Sequence, residues 1–162
     1  QATLDGNRIF SNTAPSGGGG LSVDRSIPFT LTNNIIAHNE ANSGNGGGGI
    51  KFWGWSGGPA SGILVNNTIA QNNLGSDGKG IFASGVVTLT LTNNIIVSHT
   101  YGVYAAGDAI VTASHTLFFG NTITNIGGTI ANITSTNEIT GSNPSFVNPA
   151  GWDYDIQVDS AA

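Results

Sequence analysis

The sequence predicts an all-β fold, a right-handed parallel β-helix solenoid of about five coils with three short strands per coil. Three observations carry that expectation. A nine-residue block returns at intervals of one coil, apolar residues alternate with period two where strands are expected, and the composition is rich in Gly, Asn, Thr and Ser but only 8% charged. The chain of 162 residues is long enough for one domain with a core, and its 38% hydrophobic content is more than a disordered chain carries.

The copies of the block are LDGNRIFSN from Leu4 to Asn12, LTNNIIAHN from Leu31 to Asn39, LVNNTIAQN from Leu64 to Asn72 and LTNNIIVSH from Leu91 to His99. A decayed copy, ASHTLFFGN, runs from Ala113 to Asn121. Aligned, they give two apolar columns, Leu4, Leu31, Leu64, Leu91, Ala113 and Ile9, Ile36, Ile69, Ile96, Phe118, which read as stacked core positions. Two polar columns accompany them. One is Asn7, Asn34, Asn67, Asn94, ending at Thr116; the other is Asn12, Asn39, Asn72, His99, Asn121. Both read as structural asparagine ladders, because an Asn at a bend tolerates left-handed backbone and its amide can bond the amides above and below.

The columns advance by 27, 33, 27 and 22 residues, from Ile9 through Ile36, Ile69 and Ile96 to Phe118. Steps of that size describe one turn of a repeat with variable loops. Each copy is followed by a glycine-led strand cue: Gly17-Gly18-Gly19-Gly20-Leu21, Gly46-Gly47-Gly48-Gly49-Ile50, Gly78-Lys79-Gly80-Ile81 and Tyr101-Gly102-Val103. A third strand leads into the next block, as Phe29-Thr30-Leu31-Thr32 and Val87-Thr88-Leu89-Thr90-Leu91-Thr92. Residues 1–142 are therefore expected to be β-helix coils and 143–162 the closing segment of the helix. The start at Gln1, without an initiator Met or signal pattern, suggests a part of a longer protein.

The alternation of Ile-x-x-Asn (Ile9–Asn12, Ile36–Asn39, Ile69–Asn72, with Phe118–Asn121) and Gly-Gly-Gly-Leu or Gly-Gly-Gly-Ile resembles the repeats of polymorphic outer-membrane-type proteins, within the pectate-lyase-like β-helix superfamily. The tail from Asn143-Pro144-Ser145-Phe146 to Asp153-Tyr154-Asp155-Ile156 resembles the closing segment of secreted β-helix proteins. The resemblance implies an extracellular or cell-surface location in a bacterium. It does not imply one activity, since the scaffold hosts adhesins, polysaccharide lyases, hydrolases and passive stalks.

Nine acids against four bases give a formal charge of -5, which leaves little for a polyanion and excludes nucleic acid as an expected partner. No run approaches the roughly 20 apolar residues of a membrane span, so direct membrane insertion is not expected. There is no cysteine. The histidines His38, His99 and His115 occupy different block positions, and neither a metal nor a cofactor is expected. The acids do not fall into one column, and no catalytic residue is assigned. Asp24-Arg25 reads as a turn pair, Gly75-Ser76-Asp77-Gly78-Lys79-Gly80 as a loop, and Asp153-Tyr154-Asp155 as a polar strand face.

The binding candidate is Phe52, Trp53 and Trp55, in the stretch Lys51-Phe52-Trp53-Gly54-Trp55-Ser56-Gly57-Gly58 of a segment between blocks that is six residues longer than its neighbour. Its flat aromatic rings suit a sugar or a protein partner; the competing reading, the stronger on the sequence, is that Trp53 and Trp55 fold back to cover the flank of their own coil. Thr88, Thr90 and Thr92 form an outward row that Thr30 and Thr32 repeat. Such a row is reminiscent of an ice-binding face, but Ile63 and Val65 interrupt it, a regular flat array is missing, and ice binding is not expected on the sequence. The leading functional expectation is a non-catalytic structural or adhesive segment of a secreted or surface-displayed protein. Its partners would be itself end to end, flanking β-helix coils, surface glycans, or host or neighbour proteins. The alternative is a carbohydrate-active enzyme, or the carbohydrate-binding portion of a lyase-like or hydrolase-like β-helix.

Overall fold

The computed structural model describes residues 1–24, 28–42, 46–72, 78–160 and 162. They are nearly all β, in parallel strands that build stacked sheets, an arrangement consistent with a β-helix. The first sheet contains β1 (Ala2–Asp5), β5 (Pro28–Thr32), β9 (Ala60–Val65), β12 (Val87–Thr92), β15 (Ile110–Ser114) and β18 (Ile133–Thr136), in that spatial order. The second contains β2 (Arg8–Phe10), β6 (Ile35–Ala37), β10 (Thr68–Ala70), β13 (Ile95–Val97), β16 (Leu117–Phe119) and β19 (Ile139–Thr140). The third contains β4 (Leu21–Asp24), β8 (Ile50–Gly54), β11 (Lys79–Gly85), β14 (Tyr101–Ala106) and β17 (Thr124–Gly128). A short parallel pair, β3 (Thr13–Ala14) with β7 (Glu40–Ala41), lies between blocks and third-sheet strands.

Like residues pair with like because each strand bonds to its counterpart one repeat away. In the first sheet Leu4, Leu31, Leu64, Leu91 and Ala113 are in register, and in the second Ile9, Ile36, Ile69, Ile96 and Phe118. Leu31, Ile36, Leu64, Ile69, Leu91 and Ile96 are completely buried. The third sheet closes this core with Ile50, Ile81 and Val103 in one column and Val23, Phe52, Ala83 and Ala105 in the next. Phe52 is accommodated by Gly62, where a Cβ would lie 2.6 Å from the ring.

Two polar ladders run beside the apolar columns. In the first, the Nδ2 groups of Asn7, Asn34 and Asn67 donate to the Oδ1 atoms of Asn34, Asn67 and Asn94 at 3.1, 3.0 and 3.0 Å. In the second, Asn12 donates to Asn39 at 2.9 Å and Asn39 to Asn72 at 3.0 Å. Each ladder Oδ1 also accepts from the backbone N–H of the Asn above it. The left-handed conformation falls one residue earlier than the sequence suggested. It is adopted by Asn33, Asn66, Asn93, His115 and Asn137 before one ladder, and by Ser11, His38, Gln71 and Ser98 before the other. The bend is made by one residue and the following side chain is turned inward, where it satisfies backbone groups that the corner leaves unpaired.

His99 takes the place of an Asn in the second ladder and is completely buried. Asn72 Nδ2 lies 3.3 Å from His99 Nε2, so Nε2 accepts and the proton sits on Nδ1. Burial lowers the imidazole pKa to about 3. The Asn121 carboxamide acts weakly in the opposite direction, without reaching hydrogen-bond geometry with Nδ1. The unfolded chain binds this proton below about pH 6.5 and the folded chain does not until about pH 3. His99 therefore contributes stability at neutral pH that is lost as pH falls through that window, at up to about 1.4 kcal/mol per pH unit. His99→Asn is expected to flatten this acid limb in urea titrations between pH 6.5 and 4. A variant that keeps the full slope would show that the dependence arises elsewhere.

A sixth level lies beyond the five block copies. In it Ser135 and Thr140 pair with Ala113 and Phe118, where an apolar residue would continue the columns. Residues 143–162 do not stack as a further level. They form an antiparallel hairpin, β20 (Phe146–Asn148) with β21 (Asp153–Ile156), joined by a 3-10 turn at Pro149–Gly151. The hairpin lies on the outside of the second sheet. Tyr154 is buried against Ala37, Ala70, Val97 and Leu117, and its hydroxyl bonds His38 Nε2 at 2.8 Å and Gln71 Oε1 at 3.3 Å. Trp152 stacks on Phe10 and His38, with centroids 5.6 and 5.5 Å apart, and its carbonyl accepts from Arg8 at 2.6 Å. The tail thus reaches back to the first block and covers an apolar outer face.

Candidate functional site

The outer face of the third sheet carries aromatic, charged and hydroxyl side chains close together. Strand alternation turns Ile50 and Phe52 inward and Lys51 and Trp53 outward. Register then places Lys51 between Ser22 and Phe82, with Tyr104 beyond, and Trp53 between Asp24 and Ser84. Lys51 Nζ lies 5.7 Å from the Phe82 centroid, and Lys79 Nζ lies 5.3 and 5.2 Å from those of Phe82 and Tyr104. Tyr101 meets Tyr104 edge to face at 5.0 Å. Ammonium groups over ring faces are attracted by the ring quadrupole, and the contact holds Lys51 along the face.

A depression of about 280 Å³ opens beside this cluster, lined by Ser16, Gly17, Ser22, Asp24, Lys51 and Trp53. It combines an indole, one carboxylate, one ammonium and two hydroxyls. That donor and acceptor set suits a polyhydroxylated ligand that stacks on the indole while its hydroxyls bond the charged groups. Trp55 stands apart, about half exposed, at the start of a turn closed by Trp55 N–H to Gly58 O at 3.1 Å and Gly58 N–H to Trp55 O at 2.9 Å. Its ring lies over Gly57, where a Cβ would be 2.6 Å away.

The three aromatic candidates thus have three placements. Trp53 lines the depression, Trp55 caps its own turn, and Phe52 is a core residue with no exposed surface. The correction for Phe52 follows from the strand's period of two, which sends residues 50 and 52 to the same side as the core. Ser16, Ser22 and Asp24 join the site from another coil, beside the Lys51 that opens the candidate stretch. The sequence signal for them was the register, since Ser22-Val23-Asp24 and Lys51-Phe52-Trp53 follow equivalent glycine-led cues.

Two further depressions are described. One of about 520 Å³ lies between the second sheet and the tail hairpin, with Ile35, Ile95, Leu117, Ile139, Tyr154 and Asp155 among its lining residues. Another, of about 210 Å³, is lined by Ser98, His99, Thr100, Gly120 and Thr122. Each of the three has at most one acidic side chain in its lining, whereas glycosidic cleavage by paired acids needs two within roughly 5 to 9.5 Å. Among the described residues no three of His, Cys, Asp or Glu converge as metal ligands. Asp5, at an exposed corner, has its pKa lowered by hydrogen bonds from Thr32 and Asn33. Arg25 of the Asp24-Arg25 pair, and residues 75–77 of the glycine-rich loop, lie outside the described residues. No helix among the described residues is long and apolar enough to cross a membrane.

Comparison of the chain with protein-family models, with curated proteins and with solved structures finds no match.

Proposed function

We propose that the chain is a non-catalytic structural and adhesive segment of a right-handed parallel β-helix solenoid, of the polymorphic outer-membrane repeat type, displayed outside a bacterial cell. Right-handedness is the strong preference for parallel strands joined by crossovers in one sheet. The observation that carries the reading is the state of the side-chain columns at the first level. Leu4, Ile9 and Leu21 are part-exposed there, while Leu31, Ile36 and Ile50, one level on, are completely buried. A further β level stacked on that end would bury them and pair the open edges of β1, β2 and β4.

Adhesion is assigned to the depression at Trp53, with a glycan as the ligand class. A single carboxylate beside an indole favours holding a sugar over cleaving it. Electron microscopy of the natively purified protein is expected to show this segment within a longer column with continuous density past Leu4. A discrete particle that buries nothing at that end would overturn the stacking role. On a glycan array, Trp53→Ala is expected to weaken retained binding about tenfold, the loss of roughly 1.4 kcal/mol of stacking. Bound glycan should be recovered at its original length; shortened chains would make the protein an enzyme.

A further inference from the structure

The outer face of the first sheet differs in kind from the other two. One outward column is Thr3, Thr30, Ile63, Thr90, Thr112 and Thr134, in unbroken register. Two residues along each strand lies a second: Asp5, Thr32, Val65, Thr92, Ser114 and Thr136. From the sequence, Ile63 and Val65 break a short Thr row. The register adds Thr3 on one side of that break, and Thr112, Ser114, Thr134 and Thr136 on the other, so the break is one level in six.

The geometry points to crystalline ice as the ligand of this face. Parallel strands repeat about every 4.8 Å up the stack, and alternate residues about every 6.6 Å along a strand. The result is a rectangular lattice of hydroxyl and methyl groups whose period up the stack is close to an oxygen repeat on prism faces of hexagonal ice, with the outward splay of the side chains left to widen the period along the strand. Every residue of the first column is β-branched, which restricts its χ1 and keeps the lattice sharp. Ile63 and Val65 keep that branched shape and omit only the hydroxyl. Ladders of identical side chains are also the device that holds sheets flat against their natural twist.

Two further features suit a solid-water surface. Among the described residues, the hydroxyls of Thr3, Thr90, Thr112 and Thr134 make no hydrogen bond to protein and are left to water; the side-chain bonds on this face are Gln1 Nε2 to Thr30 at 3.2 Å, Thr32 to Asp5, and Thr92 to Ser114 at 3.4 Å. Asp5, at the first level, is the one charged residue among the twelve. A charged group orders water around itself in a way that a crystal lattice does not accommodate. Thr is also a good residue for any exposed strand, which explains its abundance without explaining two aligned columns.

The experiment compares ice recrystallisation and crystal shaping by the 162-residue chain and three variants, each first shown to keep its β-sheet circular dichroism and melting temperature. Unmodified protein is expected to facet ice crystals and halt recrystallisation at micromolar concentration. Thr90→Tyr, a good strand former that protrudes from the lattice, should lose at least fivefold of that activity. Ile63→Thr with Val65→Thr should gain about twofold by closing the break. Ser22→Tyr, on the third sheet, should leave activity unchanged while blocking the depression at Trp53, so the glycan assignment fails or stands separately. Absence of ice activity in the unmodified chain would overturn the inference, as would retained activity in Thr90→Tyr or equal loss in Ser22→Tyr.

Discussion

Asn67→Ala is expected to lower stability by about 3–5 kcal/mol, seen as a melting temperature some 10–15 °C lower for a chain of this size. Asn67 is buried and makes contacts in both directions along its ladder. Its Nδ2 donates to Asn94 Oδ1 at 3.0 Å and to the carbonyls of Leu31 and Val65 at 2.9 and 3.1 Å, and its Oδ1 accepts from both the backbone and the side chain of Asn34 at 3.0 Å. Truncation leaves at least the Leu31 carbonyl and the Asn34 N–H buried without these partners, and each such group costs about 1–3 kcal/mol. Its neighbour Asn66 is exposed, at φ 55°. Asn66→Gly keeps that backbone conformation and should change stability by less than about 0.5 kcal/mol. If Asn67→Ala proved as mild as Asn66→Gly, the ladder would contribute no net stability.

Gly49→Ala has the second largest expected effect, for the opposite reason: it adds an atom. A Cβ at 49 would lie 2.5 Å from the Gly80 carbonyl oxygen, 3.0 Å from Asn72 Nδ2 and 3.2 Å from Ile69 Cγ2. The nearest of these is backbone of the next level, which has no rotamer to escape into. Relief requires moving the third sheet off the second ladder, and about 3 kcal/mol or more is expected in denaturant titration. Gly20, Gly80 and Gly102 meet the same kind of neighbours at the equivalent position, so close approach selects glycine there. Gly6 is the contrasting case, with φ +67° and nothing within 4 Å of its Cβ position. Gly6→Asn restores the residue that Asn33, Asn66 and Asn93 supply and should be neutral or mildly stabilising.

The columns were legible in the sequence because stacking places like on like and the nine-residue spacing inside each block never slips. Leu31, Leu64 and Leu91 could be aligned without knowing the loops between them. The sixth level was hidden because Ser135 and Thr140 carry no hydrophobic signal at the two positions that define a core. The hairpin's seat was hidden for a different reason. Three-residue strands such as Ile35–Ala37 are too short to display period two, so nothing in the sequence marks the apolar residues that flank the inward Ile36 as facing outward. Ile35, Ala37 and their equivalents in fact demanded cover on the outside, and Tyr154 and Trp152 provide it. In the candidate site Trp53 was visible by its chemistry alone. Asp24 and Ser22 became visible only through register, which pairs residues nearly thirty positions apart.

The asparagine ladders also have an arrow. In each step from Asn7 to Asn94, and from Asn12 to Asn72, the carboxamide nearer the start of the chain donates and the one further along accepts. The aligned amides therefore add like dipoles in a file, and the outermost oxygens, those of Asn7 and Asn12, accept nothing from the described residues. A molecule stacking on that end must bring N–H groups to two fixed points, in line with the two apolar columns. At the opposite end the first ladder stops at the Thr116 hydroxyl, which is already turned back to the Ser114 carbonyl at 3.2 Å. The two termini of the ladder differ chemically, so a further level paired to β1, β2 and β4 would meet oxygen acceptors in line with the apolar columns.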